Sequence, residues 1–356
     1  MTPKKIKVLF ILPSLRAGGA ERVISFVANN LNRATFDVSL VIIESETDKA
    51  YELHNVTPVF LNKKRTRNAI LSLFNYILKN RPDVVVSSIG QINTTLSLYA
   101  IFFRNIKFIT RETYVRGTNF KRKNSGFFGL LGSFQKITID KVICQSMDIY
   151  QNLIDNYGFK KEQLVVINNP ITSEFHLQKK KEKIVTEPKL ITIGRLEKQK
   201  GYARVLHALA KLDIPYKYTI IGSGSLENEI FEIARSLNIH NNIEHIPFTK
   251  NIQEHLINSD LYLQGSYYEG FPNALLESCS AGTPVLAFNA PGGINEIVLN
   301  GINGYRVDTE TEFLSKLKIL IENMPDPNKV KESVMSRYSQ DKILAKYEQL
   351  LSEIVN

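Results

Sequence analysis

Short, nearly unbroken apolar runs recur along this sequence, separated by stretches whose apolar residues return at helical spacing. Ile6–Leu12 is the clearest run, with Lys7 its only charged residue. A run with so little polar alternation reads as a strand buried on both faces, and strands separated by helices pair in parallel. In the first half the pattern predicts further strands at 38–43, 56–61, 84–89, 107–110, 142–145 and 165–167. Helices are predicted through Val23, Ile24, Val27 and Leu31, and over 69–78, 94–103, 126–137 and 147–157. In the second half strands are predicted at 190–193, 218–221, 243–247, 261–263, 285–288 and 304–307, with helices at 200–212, 226–237, 252–258 and 313–321. An apolar stripe from Ile343 to Ile354 marks a last helix. The class is therefore α/β, with doubly wound parallel sheets. At 356 residues the chain is too long for one comfortable core, so two domains are expected. Ligands of such sheets bind beyond the carboxyl ends of the strands, where Gly18, Gly90, Arg111 and Gln145 fall.

Charge divides the chain unevenly. Residues 1–170 carry 24 Lys plus Arg against 12 Asp plus Glu, whereas residues 171–356 carry 21 against 23. The formal excess of +10 thus lives in the first half, which suits a phosphate-bearing acceptor, an anionic membrane surface or nucleic acid. Two basic segments stand out there, Lys63-Lys64-Arg65-Thr66-Arg67 and the stretch from Arg111 to Lys123. The second leads into Gly126-Phe127-Phe128-Gly129-Leu130-Leu131, and cations beside an apolar patch suit an acidic leaflet. No nucleic-acid motif accompanies them, so nucleic acid is not expected as a partner. No run approaches 18 apolar residues and the start lacks a signal-peptide pattern, so the expected place is the cytosol, peripheral to the inner face of the membrane. Cys144 and Cys279, one in each half, lack metal-ligand spacing and read as free thiols.

Chemistry concentrates in two stretches of the second half. The first is Gly194-Arg195-Leu196-Glu197-Lys198-Gln199-Lys200-Gly201, directly after a strand. The other is Glu269-Gly270-Phe271-Pro272-Asn273-Ala274-Leu275-Leu276-Glu277. Pro272 suits the first position of a helix, and the amides around Gly270, Phe271, Asn273 and Ala274 then point out of the helix start, toward anionic or oxygen-rich ligands. Glu277 shares its helix with Leu275, Leu276 and Cys279, and a buried carboxylate needs a partner that a ligand hydroxyl can supply. Upstream, Gly18-Gly19 forms a strand, glycine turn, helix sequence of the phosphate-approach type. It lacks the three-glycine dinucleotide fingerprint, although Glu44 at the end of the next strand invites a nicotinamide reading. No Asp-x-Asp sequence offers a metal clamp for a diphosphate.

Together these stretches resemble the nucleotide-sugar site of glycosyltransferase family 4. The family carries two glutamates separated by seven residues, and an Arg and a Lys about five apart in a Gly-Arg-Leu…Lys-Gly loop. The resemblance implies a GT-B fold, two Rossmann-like domains facing across a cleft, with the final helix crossing back to the first. It implies an acceptor domain over 1–170 completed by about 336–356, and a nucleotide-sugar domain over 171–335. The implied activity is retaining, metal-independent transfer of a hexose or N-acetylhexosamine from a nucleotide sugar, UDP-linked in most relatives. A lipid-linked saccharide in bacterial surface-polysaccharide assembly is the implied acceptor. No cofactor is expected beyond the nucleotide sugar as co-substrate. In this resemblance Arg195 and Lys200 bind the diphosphate, Glu269 the sugar hydroxyls beside the 270–274 amides, and Glu277 the ribose. Gly222 and Gly224, with Gly18 and Gly19, let the nucleotide approach. Many members place an acceptor-side histidine after the strand that here ends Thr110-Arg111-Glu112. This sequence has no histidine between His54 and His176, so Arg111 and Glu112 stand in that neighbourhood. A GT-B UDP-sugar 2-epimerase and a non-catalytic partner subunit are the alternatives.

Overall fold

The computed structural model describes residues 4–46, 50–118, 134–173, 176–177 and 186–355. The apolar patch at Phe127–Leu131, the cations Lys121–Lys123 and the lysine-rich stretch from Lys179 to Lys183 lie outside them. The chain divides into two compact units. One runs to Gly117, includes the stretch that ends at Thr172 and takes back Gln340 onward; the other holds Ser173–Ser339.

The first unit is a seven-stranded, all-parallel sheet. Its strands are β1 (Ile6–Leu12), β2 (Phe36–Ile42), β3 (Pro58–Phe60), β4 (Val84–Ser87), β5 (Lys107–Glu112), β6 (Lys141–Cys144) and β7 (Leu164–Val166), in the order β3-β2-β1-β4-β5-β6-β7. Helices α1 (Gly19–Asn30), α2 (Ile70–Asn80), α3 (Gly90–Phe102) and α4 (Met147–Tyr157) connect them. The alternation within β1 decides which helix goes where. Val8, Phe10 and Leu12 pack with Val23, Ile24 and Val27 of α1 and with Ile343, Tyr347 and Leu351 of the last helix. Leu9 and Ile11 point the other way, into a core with Leu73 and Ile77 of α2 and Ile92 and Leu96 of α3. Two buried faces explain the unbroken apolar run.

The second unit repeats the plan with six parallel strands. These are β8 (Lys189–Ile193), β9 (Lys217–Ile221), β10 (Ile243–Ile246), β11 (Leu261–Gln264), β12 (Val285–Phe288) and β13 (Gly304–Val307), ordered β10-β9-β8-β11-β12-β13. The helices are α5 (Tyr202–Leu209), α6 (Glu227–Ser236), α7 (Ile252–Ile257), α8 (Asn273–Ser280), α9 (Ile294–Ile297), α10 (Glu310–Glu322) and α11 (Pro327–Tyr338). The last helix, α12 (Gln340–Glu353), belongs to the first unit, where its apolar stripe completes the core under α1. In each sheet the order reverses once, between β1 and β4 and between β8 and β11. Such a reversal opens a crevice at the carboxyl ends of the two central strands.

Helix α11 lies outside every predicted element. Its signal is local: Asp326 caps the start, its carboxylate accepting from the amides of Asn328 at 2.9 Å and Lys329 at 3.4 Å, and Pro327 fills the first turn. Only Val330, Val334 and Tyr338 of its remaining residues turn inward, too few for a readable stripe.

Candidate active site

In the second unit the reversal of strand order brings two loops side by side. One leaves β8 as Gly194–Gly201 and the other leaves β11 as Gly265–Pro272. They are stitched together by main-chain and side-chain bonds. The Tyr267 amide donates to the Gln199 carbonyl at 2.8 Å, and Gln199 Nε2 donates to the Tyr268 carbonyl at 2.9 Å. Gly201 has a left-handed φ of 58°, and a Cβ there would lie 1.8 Å from the Gly265 carbonyl oxygen. Only glycine tolerates both the backbone angle and the approach.

This seam carries Lys200 to Glu269. Lys200 Nζ donates to Glu269 Oε1 at 2.6 Å, and Ser266 Oγ donates to the same oxygen at 2.6 Å. The carboxylate side chain is 7% exposed and the lysine 22%, so the carboxylate is buried and the lysine side chain is only partly covered. Beneath it lie the phenols of Tyr202, Tyr218 and Tyr262, tied in turn to the Gly194 carbonyl, Thr192 Oγ1 and the Ile193 carbonyl. Burial pushes all three hydroxyls above the ordinary tyrosine range, and for Tyr262 the Glu269 carboxylate is the next cause. They are neutral donors at physiological pH.

The Glu269 backbone is held from the opposite side. Its amide donates to the Pro291 carbonyl at 2.8 Å, and the Gly293 amide donates to the Gly270 carbonyl at 2.8 Å. Gly292 has φ 122°, and a Cβ there would stand 2.3 Å from the Glu269 carbonyl oxygen. Phe271 is buried against Gly293 and edge-on to Tyr338, with ring centroids 5.1 Å apart. Pro272 takes the N-cap position of α8, with ψ 104°, and the helix begins at Asn273. The capping place suits proline as well as the first helical place, because neither needs the missing N–H. Asn273 and Ala274 open the helix, and Glu277 lies one turn in, 5% exposed. Arg195 stands exposed at the start of its loop.

Gly222 and Gly224 serve this seam from a third loop. A Cβ on Gly222, at φ 141°, would meet the Gly194 carbonyl oxygen at 2.1 Å, and one on Gly224 would meet the Leu196 oxygen at 2.4 Å. The space that each leaves is filled by the neighbouring loop. His245 adds a contact of 2.8 Å to the Gly222 carbonyl.

Three residues outside the motifs complete the arrangement: Ser266, Gly292 and Arg204. The Arg204 guanidinium donates to the carbonyls of Gly265, at 2.6 Å, and Ser266, and lies 4.5 Å from the Tyr267 ring centroid and 4.2 Å from that of Phe288. Burial lowers its pKa to about 10, against the Tyr267 hydroxyl, which raises it. Ser266 had no signal of its own, since its hydroxyl acts on a carboxylate whose place is set by the loop around it. Arg204 had none, being one polar residue on an otherwise ordinary helix.

In the first unit Gly18 ends the loop after β1 and precedes α1. Its amide and the Tyr51 hydroxyl are 2.7 Å apart, and the same hydroxyl donates to the Gly18 carbonyl at 2.7 Å; Gly19 is the first helical residue. Glu44, at the end of β2, pairs with Arg16 at 3.3 Å. Arg111 and Glu112 close β5 and are both buried. Arg111, 1% exposed, donates through Nη1 to Ser88 Oγ at 3.0 Å and through Nη2 to Asn169 Oδ1. With its amide oxygen turned toward the guanidinium, Gln145 accepts at 2.7 and 3.0 Å. Burial lowers the Arg111 pKa, and the neighbouring Tyr347 hydroxyl opposes that shift without reaching hydrogen-bond geometry. Glu112 pairs with Arg116, which also donates to Gln135 and lies over the rings of Tyr157 and Phe159.

Two doubly wound parallel units, the second with a cation, a carboxylate and a helix start gathered at its switch point, define the GT-B class of α/β fold. Residues 17–175 match the model for Glycosyltransferase Family 4, and residues 174–337 match that for Glycosyl transferases group 1. The chain belongs to this family of glycosyltransferases. It is 24% identical over 335 residues to an N-acetylgalactosamine-N,N'-diacetylbacillosaminyl-diphospho-undecaprenol 4-alpha-N-acetylgalactosaminyltransferase of Campylobacter jejuni, covering 89% of this chain and 90% of that one. To the amylovoran biosynthesis glycosyltransferase AmsD of Erwinia amylovora it is 25% identical over 328 residues, or 88% and 90% of the two chains. Among solved structures, Anabaena HepE in complex with UDP and glucose superposes with a TM-score of 0.79, at 18% identity over 98% of this chain and all of that one. That likeness speaks to the fold.

Proposed function

We propose that the protein transfers a hexose or N-acetylhexosamine from a UDP-sugar to a lipid-linked saccharide at the inner face of the membrane, with retention and without a metal, in polysaccharide biosynthesis. The observation that carries this reading is the Lys200–Glu269 pair at the switch point, beside the start of α8. Transfer develops negative charge on the departing diphosphate and positive charge on the sugar. Lys200, as a point charge, and Arg195, as a fork, take up the diphosphate. The first-turn amides of α8 add their dipole, because the first amides of any helix have no acceptor within it. Glu269, held by the Ser266 hydroxyl and through its amide by the Pro291 carbonyl, receives sugar hydroxyls on the side that Lys200 leaves, and Glu277 receives the ribose.

The two relatives above, one named for an undecaprenol diphosphate substrate and one for amylovoran biosynthesis, support the acceptor class. The net positive charge of residues 1–170 suits a diphosphate-bearing lipid. Among the described residues no helix is long and apolar enough to cross a membrane, so membrane contact is read as peripheral. The donor is tested by a thermal-shift screen of UDP-, GDP- and ADP-sugars. A ligand at 100 times its Kd stabilises by about 2.7 kcal/mol, and the UDP series is expected to give the largest shift. Shifts confined to the GDP or ADP series would replace the donor. Loss of turnover in EDTA, restored by a divalent ion, would remove the metal-free mechanism.

A further inference from the structure

Helices α2 and α3 present an apolar face that the first unit's own core does not use. Leu73 and Ile77 of α2 point inward and are fully buried. On the outside, Leu71 is 77% exposed, the most of any large apolar side chain among the described residues, and Phe102 at the end of α3 is 71% exposed. Leu78, Ile101 and Ile70 are exposed with them. The two helices are joined where this face lies. The Tyr99 hydroxyl donates to the Ile70 carbonyl at 2.5 Å, and the Phe74 ring meets Phe102 edge-on at 6.0 Å and Phe103 at 4.8 Å. The exposed apolar residues therefore form one rigid surface.

Cations flank that surface, and α2 and α3 themselves carry no carboxylate. Arg67, Leu71, Phe74 and Leu78 follow one another at helical spacing, so the basic stretch Lys63–Arg67 runs directly into the apolar stripe. Lys79 and Arg81 close its other end. Between Glu52 and Asp83, and again between Asp83 and Glu112, the sequence contains no Asp or Glu. Among the described residues none of these six cations takes part in an ion pair. Asp83 itself accepts from the Lys7 amide, at 2.8 Å.

We infer that the outer face of α2 and the end of α3 dock on an anionic lipid bilayer, with Leu71, Leu78 and Phe102 entering the interface and Lys63–Arg67 bound to acidic headgroups. An apolar stripe bordered by cations and free of acids matches that surface in both hydropathy and charge. The inference rests on the reading that transfer takes place at a membrane, and it gives that contact a place on α2 and α3.

Flotation with phosphatidylcholine vesicles, with and without phosphatidylglycerol, tests it on the full chain. The natural protein is expected to float only with phosphatidylglycerol, and less so in high salt. Lys64→Ala/Arg65→Ala/Arg67→Ala should weaken binding by about a hundredfold, at roughly fivefold per cation. Leu71→Ser/Leu78→Ser/Phe102→Ser should abolish the salt-resistant part, with an unchanged melting temperature because Leu73 and Ile77 stay in place. If that variant fails to fold, the charge variant alone decides. Natural protein that floats while both variants float equally well overturns this face and leaves the membrane reading standing. Natural protein that floats with neither vesicle removes both. A dimer that the apolar variant converts to monomer, or duplex-DNA binding that the charge variant loses, each without flotation, assigns the face to another partner and overturns the inference.

Discussion

Each unit places a cation near the carboxyl ends of its strands, and the two are treated in opposite ways. Arg111 is sealed in and held by neutral acceptors from three places in the chain, Ser88, Gln145 and Asn169, with the Tyr347 hydroxyl of α12 nearby. Lys200 meets a full carboxylate and its side chain stays partly exposed. A buried charge held by several neutral dipoles has nowhere to go, and it serves to fix the elements that supply them. A partly exposed cation on a single carboxylate can exchange that partner for a ligand's phosphate at little cost. The difference separates a cation that organises the first unit from one able to act in the second.

The largest expected effect falls on turnover. Lys200→Ala and Glu269→Ala should each remove about 2–4 kcal/mol of transition-state stabilisation, a loss on the order of 30- to 1000-fold in kcat/KM, with far-UV circular dichroism unchanged. Arg195→Ala should lose at least about tenfold. Natural activity in all three would dissolve the functional half of the comparison. Next comes Arg111→Ala, expected to destabilise the first unit by about 3 kcal/mol in urea unfolding, since several charge-assisted bonds go at once. UDP binding should survive it. If donor affinity fell with little change in stability, Arg111 would be acting on ligand after all.

A smaller effect is expected of Gly222→Ala, about 2 kcal/mol of stability, from the left-handed backbone and the 2.1 Å approach to the Gly194 oxygen. Smallest near neutral pH, because it is read only above about pH 9, is the alkaline limb. Burial pushes the Cys279 thiol up to about 12, partly offset by Arg337. The unfolded chain releases that proton near pH 9 and the native chain keeps it, so this contribution is whole below pH 9 and lost as pH rises toward 12. Cys279→Ala should flatten the fall in unfolding free energy over that window, and both native thiols should resist a thiol reagent at pH 8. Rapid labelling of Cys279 would show the α8 core to be open.

Much of the fold was legible in the residues. Both-face burial left unbroken apolar runs at β1, β4, β8 and β12, and those runs stand within two residues of their predicted ends. Helix α11 was not legible, because its capping signal is local and its inward face has few members. Of the site, Lys200, Glu269 and Glu277 were readable as residue types at a spacing. Ser266, Gly292 and Arg204 escaped because each acts on backbone, or on a side chain already placed by others.

By itself the sequence determined where chain direction alternates, which segments must be covered on both faces, and which stretches hold charge that a core would reject. Those are local matters of hydropathy and spacing. That Lys200 and Glu269, 69 residues apart, form one pair was decided only by tertiary structure, because it depends on β8 and β11 being neighbours where the strand order turns. The same holds for Arg111, whose partners come from separate elements and whose burial follows from packing that no local pattern specifies.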